Sequence, residues 1–231
     1  MEFNHDPENF DLTNTQLFKN YLDTMLKSHN VNGISGALIH PTKNHECQPN
    51  SSVETCVVPF IAGKSNVEIN SDMSPTTWLQ FASISKTVGT VYGIELLSRY
   101  NISLDSKVNE VLARYGSTFR LEASEINQPW GEEVNFRMLL SHTAELRMHY
   151  VKGIPLDKEF PSVLDLLRGK HAVDFGYPAI YVRAAPGKHF SYSGASFLVL
   201  QHVVETIEKK AISDSLHLFL QDNESKYSFD T

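Results

Sequence analysis

The chain has 231 residues, 41% of them hydrophobic, with 27 acidic side chains against 20 basic ones and a formal net charge of −7. That apolar content is enough for one large core or two small ones, and an acidic balance with no run of clustered cations excludes nucleic-acid binding as a working class. No stretch approaches the ~20 apolar residues of a membrane-spanning helix. The opening Met1-Glu2-Phe3-Asn4-His5-Asp6 lacks the charged-then-apolar pattern of an export leader, and the compartment stays open.

Thr13-Asn14-Thr15-Gln16 has the form of a capping box, and Leu17, Phe18, Tyr21, Leu22, Met25 and Leu26 behind it fall on one helical face. That helix is expected to end near His29-Asn30. Ile34 to Ile39 reads as an apolar strand and Val57 to Ala62 as a second, joined by a polar loop, most simply as an antiparallel hairpin. Pro59 marks the second strand as an edge or a bulged strand. Cys47 and Cys56 flank the loop, a placement compatible with a bridge at its base and equally with two free thiols.

An extended segment is expected from Thr76 to Phe81, followed by a helix from Ser83 to about Tyr100. Asn101-Ile102-Ser103-Leu104-Asp105 breaks it, and Val108, Val111 and Leu112 suggest a short helix. Asn135 is placed to cap another carrying Phe136, Met138, Leu139 and Leu140, and Pro161 to start a third with Val163, Leu164, Leu166 and Leu167. Pro186-Gly187 turns the chain into Phe190-Ser191-Tyr192-Ser193-Gly194. A patterned helix with Phe197, Leu198, Leu200, Val203, Val204 and Ile207 follows, then a last helix from Ser213 to Leu220. The order is helix, hairpin and a long helical stretch with no further strands, an α+β pattern short of sheet.

Phe81-Ala82-Ser83-Ile84-Ser85-Lys86-Thr87 carries the chemistry. A serine at a helix start lies in a field that favours developing negative charge. Lys86 is three residues on, so the helical repeat sets its amine on the Ser83 face. A serine hydroxyl becomes a nucleophile only when a neighbouring base takes its proton, and a lysine amine can serve or assist. The Ser-x-x-Lys pattern alone is weak, since about one match is expected by chance in a chain of this length. It gains weight from its place at an extended-to-helix junction. None of the ten histidines has the spacing of a metal site, so no metal and no cofactor is expected.

Four segments in order resemble the serine β-lactamase and penicillin-binding-protein superfamily, most closely its class C-related branch of D-alanyl-D-alanine carboxypeptidases and esterases. Ser83-Ile84-Ser85-Lys86 is similar to the nucleophile motif, and Leu104-Asp105 followed by Val108 to the turn after the nucleophile helix. Leu139-Leu140-Ser141-His142-Thr143-Ala144-Glu145-Leu146 resembles a Leu-Leu-x-His-Thr-Ser-Gly-Leu signature. Tyr192-Ser193-Gly194 resembles the Tyr-x-Asn motif. The resemblance implies that Ser83 becomes acylated, Lys86 eases its deprotonation and Tyr192 shuttles the proton. A phenol with an ordinary pKa of ~10 can do so only if a cation stabilises the phenolate. It also implies that His142 is structural, although the residue invites a Ser-His-Asp reading with Ser83.

Three positions depart from the pattern. Gly194 stands where the family has an asparagine that contacts the substrate amide, which argues against an efficient β-lactamase more than against hydrolysis. Glu145 replaces a glycine. The final Lys/His, Ser/Thr, Gly strand motif is absent, together with the strands that should complete the sheet and supply a second oxyanion donor.

The expected fold is therefore α+β and β-lactamase/transpeptidase-like: an antiparallel sheet flanked by helices, with a helical subdomain and the C-terminal strands missing. It is read as one incomplete domain over residues 1–231, with a helix and hairpin in 1–80, the nucleophile helix and helical region in 81–185, and the tyrosine motif and following helices in 186–231. The expected function is a serine hydrolase acting through an acyl-enzyme on a small-molecule or peptide amide or ester, of peptidase or esterase type, with a C-terminal partner chain completing the sheet. The alternative is a catalytically inactive binding or scaffold protein that lacks the third motif.

Overall fold

The structure is a computed structural model, and the described residues are 15–41, 55–146, 148, 153–155 and 157–222. The chain divides into two compact units, residues 1–80 and 81–231.

In the first unit, α1 (Thr15–His29) ends at Asn30, whose left-handed φ of 54° reverses the chain into β1 (Gly33–Pro41). β1 pairs antiparallel with β2 (Thr55–Asn66), and Ile34 opposes Ala62 while Ala37 opposes Pro59. β3 (Ser71–Asp72) pairs with β2 only at its far end, at Lys64 and Asn66. Among the described residues, Pro59 thus has a strand on one side only, the edge position its missing N–H requires. Phe18 on α1 meets Phe60 of β2 edge to face at 5.1 Å, joining helix to hairpin. β3 departs from the expectation that no strand follows the hairpin. Its turn is made by side-chain chemistry: the Asn66 Oδ1 accepts from the Glu68 and Ile69 N–H groups, and Asn70 takes φ 53°. Cys47 and the Thr13-Asn14 part of the capping box lie outside the described residues.

The second unit is helical. After a 3₁₀ turn (Ala82–Ile84) come α2 (Ser85–Arg99), α3 (Val108–Arg114), α4 (Trp130–Glu133) and α5 (Phe136–Leu140). Then follow α6 (Val163–Leu167), α7 (Ala172–Phe175), α8 (Gly194–Glu208) and α9 (Ile212–Asp222). Asn135 caps α5 as expected, its side chain accepting from the Met138 N–H at 2.9 Å. For α6 the cap is Ser162, one residue after Pro161. The expected extended run over Thr76 to Phe81 forms no strand, and Ser83 lies in the 3₁₀ turn two residues before the start of α2.

The core of this unit is built from Leu96, Val108, Leu112, Phe136, Leu139 and Val199, all fully buried. α2 and α8 approach closely at Gly93, where an added Cβ would come within 3.3 Å of Leu200. At the far end of α2 the Glu208 carboxylate, its side chain 6% exposed, accepts from the Tyr92 hydroxyl at 2.8 Å and the Ser215 hydroxyl at 2.7 Å, and pairs with Arg99 at 3.2 Å. That carboxylate ties α2, α8 and α9 together and fixes the axis on which Ser83 is carried.

Candidate active site

Ser83 is presented by a strained backbone. Ala82 immediately before it has φ 47°, a left-handed conformation that alanine adopts at a cost of roughly 1–2 kcal/mol. The Ser83 side chain is exposed, and one helical turn on, Lys86 places its Nζ 3.2 Å from the Ser83 Oγ. The local spacing argument thus holds through a 3₁₀-to-α junction, since three residues bring two side chains to one face in either helix.

Tyr192 reaches the same atom from 109 residues away, its hydroxyl donating to the Ser83 Oγ at 2.6 Å. What delivers it is a pairing of two irregular segments, 141–148 and 183–194. The Gly187 N–H donates to the Thr143 carbonyl and the Ser191 N–H to the His142 carbonyl, at 2.7 and 2.8 Å. The Ser193 N–H donates to the His142 Nδ1 at 3.1 Å, and the Gly194 N–H to the Met148 carbonyl at 2.7 Å. Ser193 is also the cap of α8: its Oγ accepts from the Ser196 N–H and donates to the Leu146 carbonyl. Tyr192 is therefore clamped between a stitched loop and a capped helix.

Two residues of the signature segment occupy left-handed backbone, His142 at φ 57° and Glu145 at φ 56°. Glu145 stands where the family pattern has glycine, and its positive φ gives the physical reason for that preference. The Glu145 carbonyl accepts from the Arg183 N–H at 3.1 Å, extending the pairing.

The electrostatics converge on the phenol. Hydrogen bonding with Lys86, and then with Ser83, holds the Tyr192 hydroxyl below its ordinary range, against a smaller opposing effect of burial. The Lys86 ammonium also lies 5.2 Å from the centroid of the Tyr192 ring and 5.7 Å from that of Phe197, a cation between two aromatic faces. Burial, and then the charge of Lys86, lowers the His142 pKa, against a smaller raising contribution from the Ser193 backbone. The structure brings Ser83, Lys86 and Tyr192 together and leaves the His142 imidazole against Tyr192, at 4.6 Å between centroids. The Nδ1 of His142 is engaged by the Ser193 backbone. Sequence reasoning missed the part of Phe197, which reads only as one more apolar position of α8. Among the described residues no group of histidines, cysteines and carboxylates is arranged to hold a metal.

Helices with a small antiparallel sheet in this order are the fold of the serine β-lactamase/transpeptidase superfamily. The chain belongs to the beta-lactamase family, whose sequence model matches residues 18–217. No curated protein matches it in sequence. Among solved structures it is similar to EstCE1, described as a hydrolase with promiscuous acyltransferase activity, with a TM-score of 0.63 and 19% identity, over 90% of this chain and 51% of that one. It is also similar to the D-amino acid amidase of Ochrobactrum anthropi SV3 (TM-score 0.61, 15% identity, 87% of this chain and 47% of that one). A third is SurE, solved with D-Leu (TM-score 0.55, 18% identity, 87% and 38%). The chain thus spans from 38% to 51% of the length of these neighbours.

Proposed function

We propose that this chain carries the nucleophilic half of a serine acyl hydrolase that cleaves an amide or ester through an acyl-enzyme. The observation that supports it is the convergence of Tyr192 and Lys86 on one serine oxygen, at 2.6 and 3.2 Å. In the proposed cycle the Tyr192 phenolate, stabilised by the Lys86 ammonium, takes the Ser83 proton as Oγ attacks the substrate carbonyl carbon. The proton passes to the leaving amine or alcohol as the acyl bond breaks. Water, deprotonated by the same phenolate, then releases the acid and restores Ser83. The Ser83 backbone N–H serves as one donor to the oxyanion.

Gly194 offers no side chain to a substrate amide, which favours esters, or amides held by other groups, over a β-lactam. The hydrolase and amidase names of the structural neighbours support small acyl substrates of the same kind. A second oxyanion donor and the third motif are assigned to the part of the fold outside the 38% to 51% of its neighbours' length that this chain spans. Residues 1–231 are read as one domain of that fold.

The second reading is a binding or scaffold protein that uses the same fold without turnover. Intact-mass analysis after exposure to a fluorophosphonate separates the two. One adduct on the wild type and none on Ser83→Ala is the expected result, with labelling slowed ~10²-fold in Lys86→Ala and Tyr192→Phe. A Ser83→Ala variant labelled equally overturns the hydrolase reading, and a folded wild type that takes no label favours the binding reading.

A further inference from the structure

The ring of His142 does more than fill space beside Tyr192. Its Nδ1 accepts the Ser193 N–H, so the neutral ring must carry its proton on Nε2. An imidazolium has a proton on both nitrogens and cannot accept. Protonation would set two N–H groups against each other at the residue that follows Tyr192 in the chain and caps α8. We propose that His142 is a positioning residue that latches Tyr192 onto Ser83 only while its ring is neutral, so that acid disengages the site.

The proposal rests on the reading of Ser83, Lys86 and Tyr192 as the catalytic set and adds a regulation to it. Geometry isolates the latch. The His142 carbonyl holds the Ser191 N–H and its side chain holds the Ser193 N–H, so one residue grips the backbone on both sides of Tyr192. The imidazole lies 4.6 Å from the Tyr192 ring, 5.9 Å from Phe190 and 5.5 Å from Phe197, centroid to centroid. The titratable groups that face it are the Lys86 ammonium from α2 and the Tyr192 phenol, while α8 presents the apolar Phe197. Among the described residues no carboxylate is among the groups that set its charge, and burial and the charge of Lys86 outweigh the single raising contribution, from the Ser193 backbone. The sign follows. The folded pKa of His142 lies below 6.5, so the latch is intact above that value and is lost as pH falls through it.

The test combines nitrogen NMR of the imidazole with fluorophosphonate labelling rates across pH, with far-ultraviolet circular dichroism tracking the fold. The expected result is the Nε2–H tautomer at pH 8. On acidification the His142 signals, the Ser193 amide and the Tyr192 ring should shift together with a midpoint below 6.5, and Ser83 labelling should fall along the same curve. His142→Asn supplies a neutral acceptor near the Nδ1 position and tolerates a left-handed backbone. It should label within ~10-fold of the wild type at pH 8 and lose that acid limb, whereas His142→Ala should label ~10²-fold more slowly at every pH. A protonated Nδ1 at pH 8, or an acid limb unchanged in His142→Asn, overturns the latch. Co-titration of the three signals in a folded protein that takes no label supports the latch and favours the binding reading over the hydrolase reading instead.

Discussion

α2 and α8 are both fifteen residues long and pack against each other, yet they are buried differently. α8 buries eight residues, including Ala195, Val199, Val203 and Ile207. α2 buries Tyr92, Gly93, Leu96 and Leu97 on one side. Its other side is also apolar, with Val91 40% and Ile94 41% exposed. A helix that is apolar on both sides is suited to burial on both sides. The difference teaches where this chain is self-sufficient. The helix that positions Tyr192 buries eight of its fifteen residues, whereas the helix that follows Ser83 buries four and leaves one face with Val91 and Ile94 open.

Substitution can break that comparison. Val199→Asp puts an unpaired carboxylate at a fully buried position of α8 and should destabilise the second unit by ~3 kcal/mol or more, read as a large drop in thermal midpoint. Ile94→Asp on the open face of α2 should cost within ~1 kcal/mol, mostly helix propensity. A cost of ~2 kcal/mol or more at Ile94 would show that this face of α2 is covered.

A smaller effect tests the joint between the two helices. Burial raises the Glu208 pKa, but hydrogen bonds from Ser215 and Tyr92 and the charges of Lys210 and Arg99 outweigh it, so the carboxyl lies below 4.5. A lowered carboxylate contributes stability that is complete above 4.5 and is lost as pH falls through its folded value. Glu208→Gln should therefore cost ~1–3 kcal/mol at neutral pH, with the gap from the wild type closing in acid. The buried His202, bonded to Ser117 and with its pKa pushed down to about 4 by burial and then by Arg168, erodes both proteins alike and drops out of the difference. A gap independent of pH would mean that shape, not charge, makes the joint.

Legibility in the sequence tracked distance along the chain. α1, the hairpin, α3, α5 and α8 follow from apolar spacing and caps, signals carried within a few residues. Ser83 and Lys86 meet for the same reason, because three residues of helix suffice. Tyr192 was reachable only through resemblance. Its position depends on backbone pairing between 141–148 and 183–194, and such irregular pairing leaves no periodicity to read. The four-residue helices α4 and α7 and the two-residue β3 fell below the length at which a period can be seen. The expected extended run of Thr76 to Phe81 forms no strand because it has no strand partner among the described residues. The left-handed Ala82 has no sequence signature, since alanine gives no warning of a positive φ.

That alanine sets stability against reactivity at a single position. Glycine enters left-handed backbone without penalty, so Ala82→Gly should raise the thermal midpoint. The same change lets the backbone ahead of Ser83 wander, and the labelling rate should fall as the fold grows more robust. A screen for heat-resistant variants of this chain would enrich glycine at position 82 and discard the nucleophile's readiness along with the strain.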